Sequence, residues 1–153
     1  MRCEVVAVGS ELLLGQIDDT NSSWIGQELA AIGIDSHHQT KVGDNLDRMV
    51  AVIEHALDRS DVVICTGGLG PTQDDITRDA IAAVMGVDLV LDDALIERIE
   101  AKWGLTGRDM PANNRRQARM PVGATAIPVQ PGTAPGIVAT FERRGEEKAI
   151  YAV

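Results

Sequence analysis

Blocks of apolar residues recur along this chain, and their period switches between that of a strand and that of a helix. "CEVVAVG" (3–9) is a short Val-rich run closed by glycine, which predicts a buried strand. Over 21–33 the apolar residues Trp24, Ile25, Leu29 and Ile32 recur at helical spacing, with Asn21 as the expected N-cap and Gly33 as the stop. "IDSHHQTKV" (34–42) reads as a second strand. "DNLDRMVAVIEHALDRS" (44–60) reads as an amphipathic helix, opened by a capping arrangement of Asp44 and Asp47. "DVVICTGG" (61–68) predicts a third strand, buried on both faces, and "DDITRDAIAAVMG" (74–86) a third helix. "VDLVL" (87–91) and "DDALIERIEAKWG" (92–104) predict one more strand and one more helix.

Strands that alternate with helices of this length predict βαβ units and a mostly parallel α/β sheet. After Gly104 the pattern loosens. A short helix is expected over 110–121 with Pro111 in its first turn, then a strand "ATAIPV" (124–129) and a glycine/proline loop "QPGTAPG" (130–136). Residues 137–153 read as two strands joined by a charged turn around Gly145. With no internal repeat or low-complexity linker, residues 1–153 are expected to form a single domain. The last residues, Tyr151-Ala152-Val153, fall inside an apolar strand, which reads as a domain truncated at its C-terminus.

Composition narrows the picture. A length of 153 residues suits one domain, and 44% hydrophobic with only 3% aromatic content requires a core of Val, Ile, Leu, Ala and Met. A net charge of −9 opposes nucleic-acid binding, which needs a basic footprint, but leaves room for one small anionic ligand. Cys3 and Cys65 lie in apolar strands without zinc-site spacing and are expected to be buried, reduced thiols in a cytoplasmic protein. Met1-Arg2-Cys3-Glu4 leads directly into a strand, so no signal peptide is read, and no apolar run approaches the ~20 residues of a membrane span.

The candidate chemistry lies in "CTGGLGPTQDD" (65–75). In open parallel sheets ligands bind beyond the carboxyl ends of the strands, where the strand order reverses. With the order 2-1-3, the loop "GSELLLGQIDDTN" faces this glycine loop across the crevice. Gly67, Gly68 and Gly70 free the backbone to approach an anion, and the helix that follows adds positive partial charge. The loop is neither a Walker A motif nor a dinucleotide fingerprint, because no GK[ST] is present and Gln73 replaces the third glycine. A tight strand-to-helix turn explains the glycines equally.

Thr72 and Asp75 have capping-box spacing, which leaves Asp74 without a structural reason. A carboxylate beside a phosphate calls for a hard divalent cation between them, so Asp74 and Asp75 are candidate metal ligands. Glu11 can reach the same crevice, whereas Asp18 and Asp19 read as solvated. His37 and His38 are neighbours on a predicted strand, so they face opposite ways and cannot chelate together. Arg115 and Arg119 share a helical face and, with Arg116, form a basic spot, either solvated or a second anchor for an anion.

Together, the blocks "VGSELLLGQIDDTNSSWIGQELAAIGI", "VGDN", "DVVICTGGLGPTQDDITRDAIA", "NNRRQARMPVGATAI" and "GTAPGI" resemble the molybdopterin-binding (MogA/MoaB-like) fold. More closely, they resemble the N-terminal domain of the competence/damage-inducible CinA family. The resemblance implies a three-layer α/β/α domain and a small anionic nucleotide or pterin phosphate in the crevice. It also implies metal-dependent hydrolysis of ADP-ribose to AMP and ribose 5-phosphate, with Mg²⁺ or a similar cation. The family's nicotinamide mononucleotide deamidase resides in a separate C-terminal domain, for which this chain has no residues.

Carried over by position, the phosphate cradle falls on Thr66, Gly67, Gly68, Gly70 and Thr72. The catalytic and metal-binding acids fall on Asp74 and Asp75. Ser10 and Glu11 line the opposite wall, and Gly132, Thr133 and Pro135 a third side. Ser10 stands where the family often has Thr. Val129-Gln130-Pro131 replaces an Asn-Pro pair, which removes a ligand amide, and the family's later Pro-Gly-Val-Pro segment is absent. The expected function is a divalent-metal-dependent pyrophosphatase. The alternatives are adenylyl transfer to molybdopterin or a non-catalytic pterin- or nucleotide-binding module. The expected assembly is a homo-oligomer, dimer or trimer, without nucleic-acid or membrane partners.

Overall fold

In a computed structural model, which describes residues 1–127 and 132–153, the first apolar run forms strand β1 (Cys3–Val8), buried at every position. The chain then makes a short helix α1 (Ser10–Leu13), which the sequence pattern did not predict, and a longer helix α2 (Thr20–Ala31). Strand β2 (Gln39–Val42) covers only the second half of the predicted second strand; Asp35 instead makes a single bridge to Arg2. Helix α3 (Leu46–Arg59), strand β3 (Val62–Thr66) and helix α4 (Thr77–Met85) follow. Then come β4 (Leu89–Leu91), α5 (Asp93–Gly104), a 3₁₀ helix (Ala112–Ala118), β5 (Arg119–Pro121) and β6 (Thr125–Ala126). The hairpin of β7 (Ile137–Arg143) and β8 (Glu146–Ala152) ends the chain.

Among the described residues the main sheet has the order β2-β1-β3-β8-β7-β6. Strands β2, β1, β3 and β8 run parallel, and β7 runs against its neighbours. The 2-1-3 order expected from the sequence is therefore present, extended by a hairpin whose charged turn places Arg144 and Gly145 at φ 54° and 79°. Positive φ at both central residues suits the right-handed twist of the flanking strands. Strand β4 does not join this sheet; it pairs antiparallel with β5 in a separate two-stranded ribbon.

Alternation along the strands produces three layers. Val6, Val8, Val63 and Cys65 face α3, α4 and α5, with Met49, Ile53, Leu57, Ile81 and Ile99 completing that core. Cys3 and Val5 face the other way, onto Ile25 and Leu29 of α2, with Val62 and Ile64 partly buried beside them. Strand β3 is thus buried fully on one face only, contrary to the expectation of two buried faces. Both cysteines are buried free thiols, and burial pushes Cys65 up to about 12. No helix among the described residues is long and apolar enough to cross a membrane.

Several expected helix ends move. Asp19, read as solvated, caps α2 by accepting from the Ser22 N–H at 3.0 Å. Asn21, the expected cap, lies inside the helix and is free for another partner. Asn45 caps α3 by accepting from the Arg48 N–H, while Asp44 bonds Ser10 instead. The helix expected from residue 74 starts at Thr77, since residues 70–74 form bends and a turn. Arg119 opens a strand, so it shares no helical face with Arg115. The strand expected over 124–129 is observed at Thr125–Ala126, and its end lies outside the described residues, as does Val129-Gln130-Pro131.

Candidate functional site

The turn from β3 into α4 owes its sequence to close packing. Gly67 and Gly68 adopt φ 97° and 67°, a region that L side chains disfavour. A Cβ on Gly67 would run into the Val8 carbonyl, and one on Gly68 into the Thr77 hydroxyl. Gly70 has an ordinary φ, but a Cβ there would lie 2.6 Å from Asp75 Oδ2. The glycines therefore let the loop lie flat against β1 and α4. Thr77 fastens it from below, donating its hydroxyl to the Gly67 carbonyl at 2.8 Å and its N–H to the Gly68 carbonyl at 3.2 Å.

Pinned in this way, the loop leaves backbone donors over. The Gly67 N–H bonds the Val153 carbonyl at 3.1 Å, but the N–H groups of Gly68, Leu69 and Gly70 donate to no acceptor among the described residues.

The facing wall is built by α1 and α2. Ser10 and Asp44 exchange two hydrogen bonds: the Ser10 N–H donates to Asp44 at 3.0 Å and the Asp44 N–H to Ser10 Oγ at 3.2 Å. That pair locks the start of α1 onto the loop after β2, so the Ser10 side chain is already engaged. Glu11 lines a cavity of about 160 Å³ together with Asn21, Thr66 and Gly67. Asn21 Nδ2 donates to Thr66 Oγ1 at 3.1 Å, which ties α2 to the end of β3 across the crevice. Asp19 also stands 3.9 Å from Lys41.

Of the remaining candidates, Thr72, Asp74 and Asp75 border neither this cavity nor the larger one beside it. Asp75 does not cap α4; its Oδ2 accepts from the Thr72 N–H at 2.8 Å and the Thr72 hydroxyl at 2.6 Å, closing the 72–75 turn on itself. Asp74 is exposed and makes no hydrogen bond or ion pair among the described residues. Gly132 and Thr133 line a larger cavity of about 700 Å³ with Asn21, Trp24, Ile25, Thr66, Leu69, Ala134 and Val153. Thr66 and Asn21 thus border both cavities. Among the described residues no group of three or more His, Cys, Asp or Glu side chains could by itself hold a metal.

Arg78 is the residue that the sequence pattern missed. It is only 2% exposed, and its guanidinium donates to the Leu69 carbonyl at 2.7 Å and the Pro135 carbonyl at 3.3 Å. It therefore bridges the glycine loop and the 132–136 loop from beneath. Burial lowers its pKa to about 10, opposed by the nearby Asp75 and Asp79 carboxylates, so the group stays protonated. The signal was present: Arg78 precedes Ile81 and Ala82 by three and four residues, on the buried stripe of α4. The three arginines of the expected basic spot each have a carboxylate nearby, Arg116 and Arg119 sharing one. Arg116 and Arg119 stand 3.6 and 3.4 Å from Asp79, and Arg115 stands 3.9 Å from Glu100.

Comparison with known proteins places this geometry among relatives. The family described as "Probable molybdopterin binding domain" matches residues 4–150. A CinA-like protein of Nostoc sp. is 49% identical over 138 residues, which is 90% of this chain and 32% of that protein. One from Gloeothece citriformis is 48% identical over 138 residues, 90% of this chain and 33% of its own length. The chain thus spans about a third of these curated relatives. The crystal structure of the protein CinA, of unknown function, from Thermoplasma acidophilum superimposes with a TM-score of 0.86 at 32% identity. The match covers 99% of this chain and 87% of that one. The tungsten cofactor synthesizing protein MoaB of Pyrococcus furiosus shares the fold at a TM-score of 0.63 and 16% identity, over 99% of this chain and 80% of that one.

Proposed function

For a chain that belongs to the molybdopterin-binding domain family, and within it to the CinA proteins, we propose the cleavage of a nucleotide diphosphate such as ADP-ribose at the crevice between α1–α2 and the glycine loop. The observation that carries this reading is the run of unpaired amides at Gly68, Leu69 and Gly70, held at the carboxyl end of β3 by Thr77 and Arg78. Such preorganised donors stabilise charge that builds up on phosphoryl oxygens without reorganising during reaction. Arg78 adds a buried positive charge behind them.

The donor chemistry suits a hard cation. Asp74 offers an unengaged carboxylate, and Asp75 an Oδ1 that accepts no hydrogen bond among the described residues. Two carboxylates do not make a cage, so a Mg²⁺-like ion here would need phosphate and water oxygens to complete its shell. When bound it would neutralise the diphosphate and activate water. The Thr72–Asp75 turn fixes the direction of the second carboxylate, and the Asn21–Thr66 bond fixes the width of the crevice. Overall, water adds to one phosphorus and the P–O–P bridge breaks. The water oxygen stays on that phosphorus, the bridging oxygen leaves with the other, and the two water protons pass to the phosphates or to solvent, which gives two phosphomonoesters.

The test is a substrate panel with purified protein and Mg²⁺, Mn²⁺ or Co²⁺, read by chromatography. Release of AMP and ribose 5-phosphate from ADP-ribose is the expected result. Saturable binding without turnover overturns hydrolysis in favour of a binding module. AMP transfer that requires molybdopterin overturns it in favour of adenylyl transfer.

A further inference from the structure

The parallel strands β3 and β8 are covered by helices on one face only. Parallel strands occur almost only where both of their faces are covered. On one side α3, α4 and α5 supply that cover. On the other, Ile25 and Leu29 of α2 pack over Cys3 and Val5 of β1, and β8 is left open beside them. Alternation along β8 sends Ile150 and Ala152 into the core and turns Ala149 and Tyr151 to the open side. With Val62 and Ile64 of β3 they floor a trough of about 440 Å³, walled by α2 on one side and β7 on the other.

The dimensions of this trough fit one helix. Neighbouring strands lie about 4.8 Å apart, so β8, two strands from β1, lies about 10 Å across the sheet from it. That is the usual separation of packed helix axes and seats a second helix beside α2. From Glu147 to Tyr151 the floor runs about 13 Å, the rise of about nine helical residues. One end of the trough is acidic. Glu142 and Glu147 stand directly opposite each other on β7 and β8, exposed on the open face. Like charges so placed repel, and neither carboxylate has a hydrogen-bond or ion-pair partner among the described residues. The neighbouring cations are engaged elsewhere: Arg143 with Glu54 and Asp58, Arg144 with Asp58, and Lys148 with Glu146 at 2.8 Å.

We propose that this trough is a docking site for an amphipathic α-helix of another protein, which lays an apolar stripe on Val62, Ile64, Ala149 and Tyr151 and brings lysine or arginine to the Glu142–Glu147 pair. The helix supplies the missing cover of the parallel strands, and its cations turn a repulsive pair into an attractive one. A second copy of this chain fits less well. Among the described residues the one cationic side chain lining the trough, Lys148, is held by Glu146 and the Ser60 carbonyl, so the face has no cation to offer the pair. The same carboxylates disfavour an anionic lipid surface. Docking here is independent of the chemistry at the glycine loop.

The test uses two synthetic peptides of about 18 residues, long enough to hold a helix. Both carry the same Leu/Ala stripe, with either lysines or glutamates clustered at one end. Calorimetry with the 153-residue chain is expected to show saturable one-to-one binding of the lysine peptide, and binding of the glutamate peptide weaker by roughly tenfold or more. The double variant Glu142→Lys/Glu147→Lys is expected to reverse that preference, and Tyr151→Asp to weaken both peptides. All three side chains are exposed, so the variants should keep the fold, which circular dichroism checks. Equal affinity for the two peptides, an unreversed preference in the double variant, or full affinity in Tyr151→Asp overturns the site. So does the absence of binding up to about 1 mM peptide. Sedimentation velocity is run in parallel: a dimer that Tyr151→Asp dissociates gives the face to a second copy and overturns the partner helix.

Discussion

Glu4 shows how one residue can hold an unexpected role. It interrupts the apolar run of β1, yet it is 2% exposed on the face towards α3. Arg59 donates to both its oxygens at 2.7 and 2.8 Å, and Ser60 donates at 2.8 Å. Burial opposes its ionisation, but these hydrogen bonds prevail and hold the carboxyl below the usual carboxylate range. An unfolded Glu titrates near ~4.3. The stabilisation is therefore present above that pH and lost as pH falls through the lower folded value. Glu4→Gln should lower stability by about 1.5–3 kcal/mol at pH 7. The gap between variant and wild type should close towards pH 3; melting curves at both pH values check this. Asp74 poses the opposite case, an acid with no hydrogen-bond or ion-pair partner among the described residues. Asp74→Asn should shift stability by no more than about 1 kcal/mol, while metal-dependent turnover or ligand affinity falls steeply and recovers in part at high metal concentration. Superimposable metal titrations of variant and wild type would remove Asp74 from the metal role.

At the level of elements, α4 is the anchor of the candidate site. Its first two residues, Thr77 and Arg78, hold the glycine loop through three carbonyls, those of Gly67, Gly68 and Leu69, and Arg78 also reaches the Pro135 carbonyl of the 132–136 loop. Placing a guanidinium there has a desolvation cost, and its Nε has no hydrogen-bond partner among the described residues. Arg78→Met removes the cation but leaves the Leu69 and Pro135 carbonyls without that donor. We expect a loss of about 1–3 kcal/mol in urea denaturation, accompanied by weaker phosphate binding. An unchanged midpoint would mean that relief of the buried charge offsets both bonds.

On the scale of the whole molecule, the two faces of the sheet are unequal. Helices α3, α4 and α5 cover one face, whereas α2 packs mainly over β1 on the other. A largely apolar cavity of about 440 Å³ consequently opens over β3 and β8, bordered by Met1, Ile34, Ile64 and Tyr151. Charge is unequal as well. The net −9 is not offset by a free basic patch at Arg115, Arg116 and Arg119, because each faces a carboxylate. Duplex DNA should therefore not bind in a mobility-shift assay at physiological salt; submicromolar affinity would contradict this.

By itself the amino-acid sequence determined the alternation of the main strands and helices up to α5 and the parallel core of the sheet. These follow from local periodicity and glycine placement, which act over a few residues and survive any context. Its capping pairs were less binding. Thr72 with Asp75, and Asp44 with Asp47, had the spacing of caps, but a short acid bonds whichever donor the fold brings near, and Asp75 closed its own turn while Asp44 reached Ser10. Trp24 matched the helical period of Ile25 and Leu29 and still lay open, since α2 can press only part of its apolar stripe onto the sheet. Only tertiary structure joined Asn21 to Thr66 and Arg78 to Pro135, residues 45 and 57 positions apart. Long-range partners of polar side chains are chosen by where strands and helices meet, and no local pattern in the chain encodes that meeting.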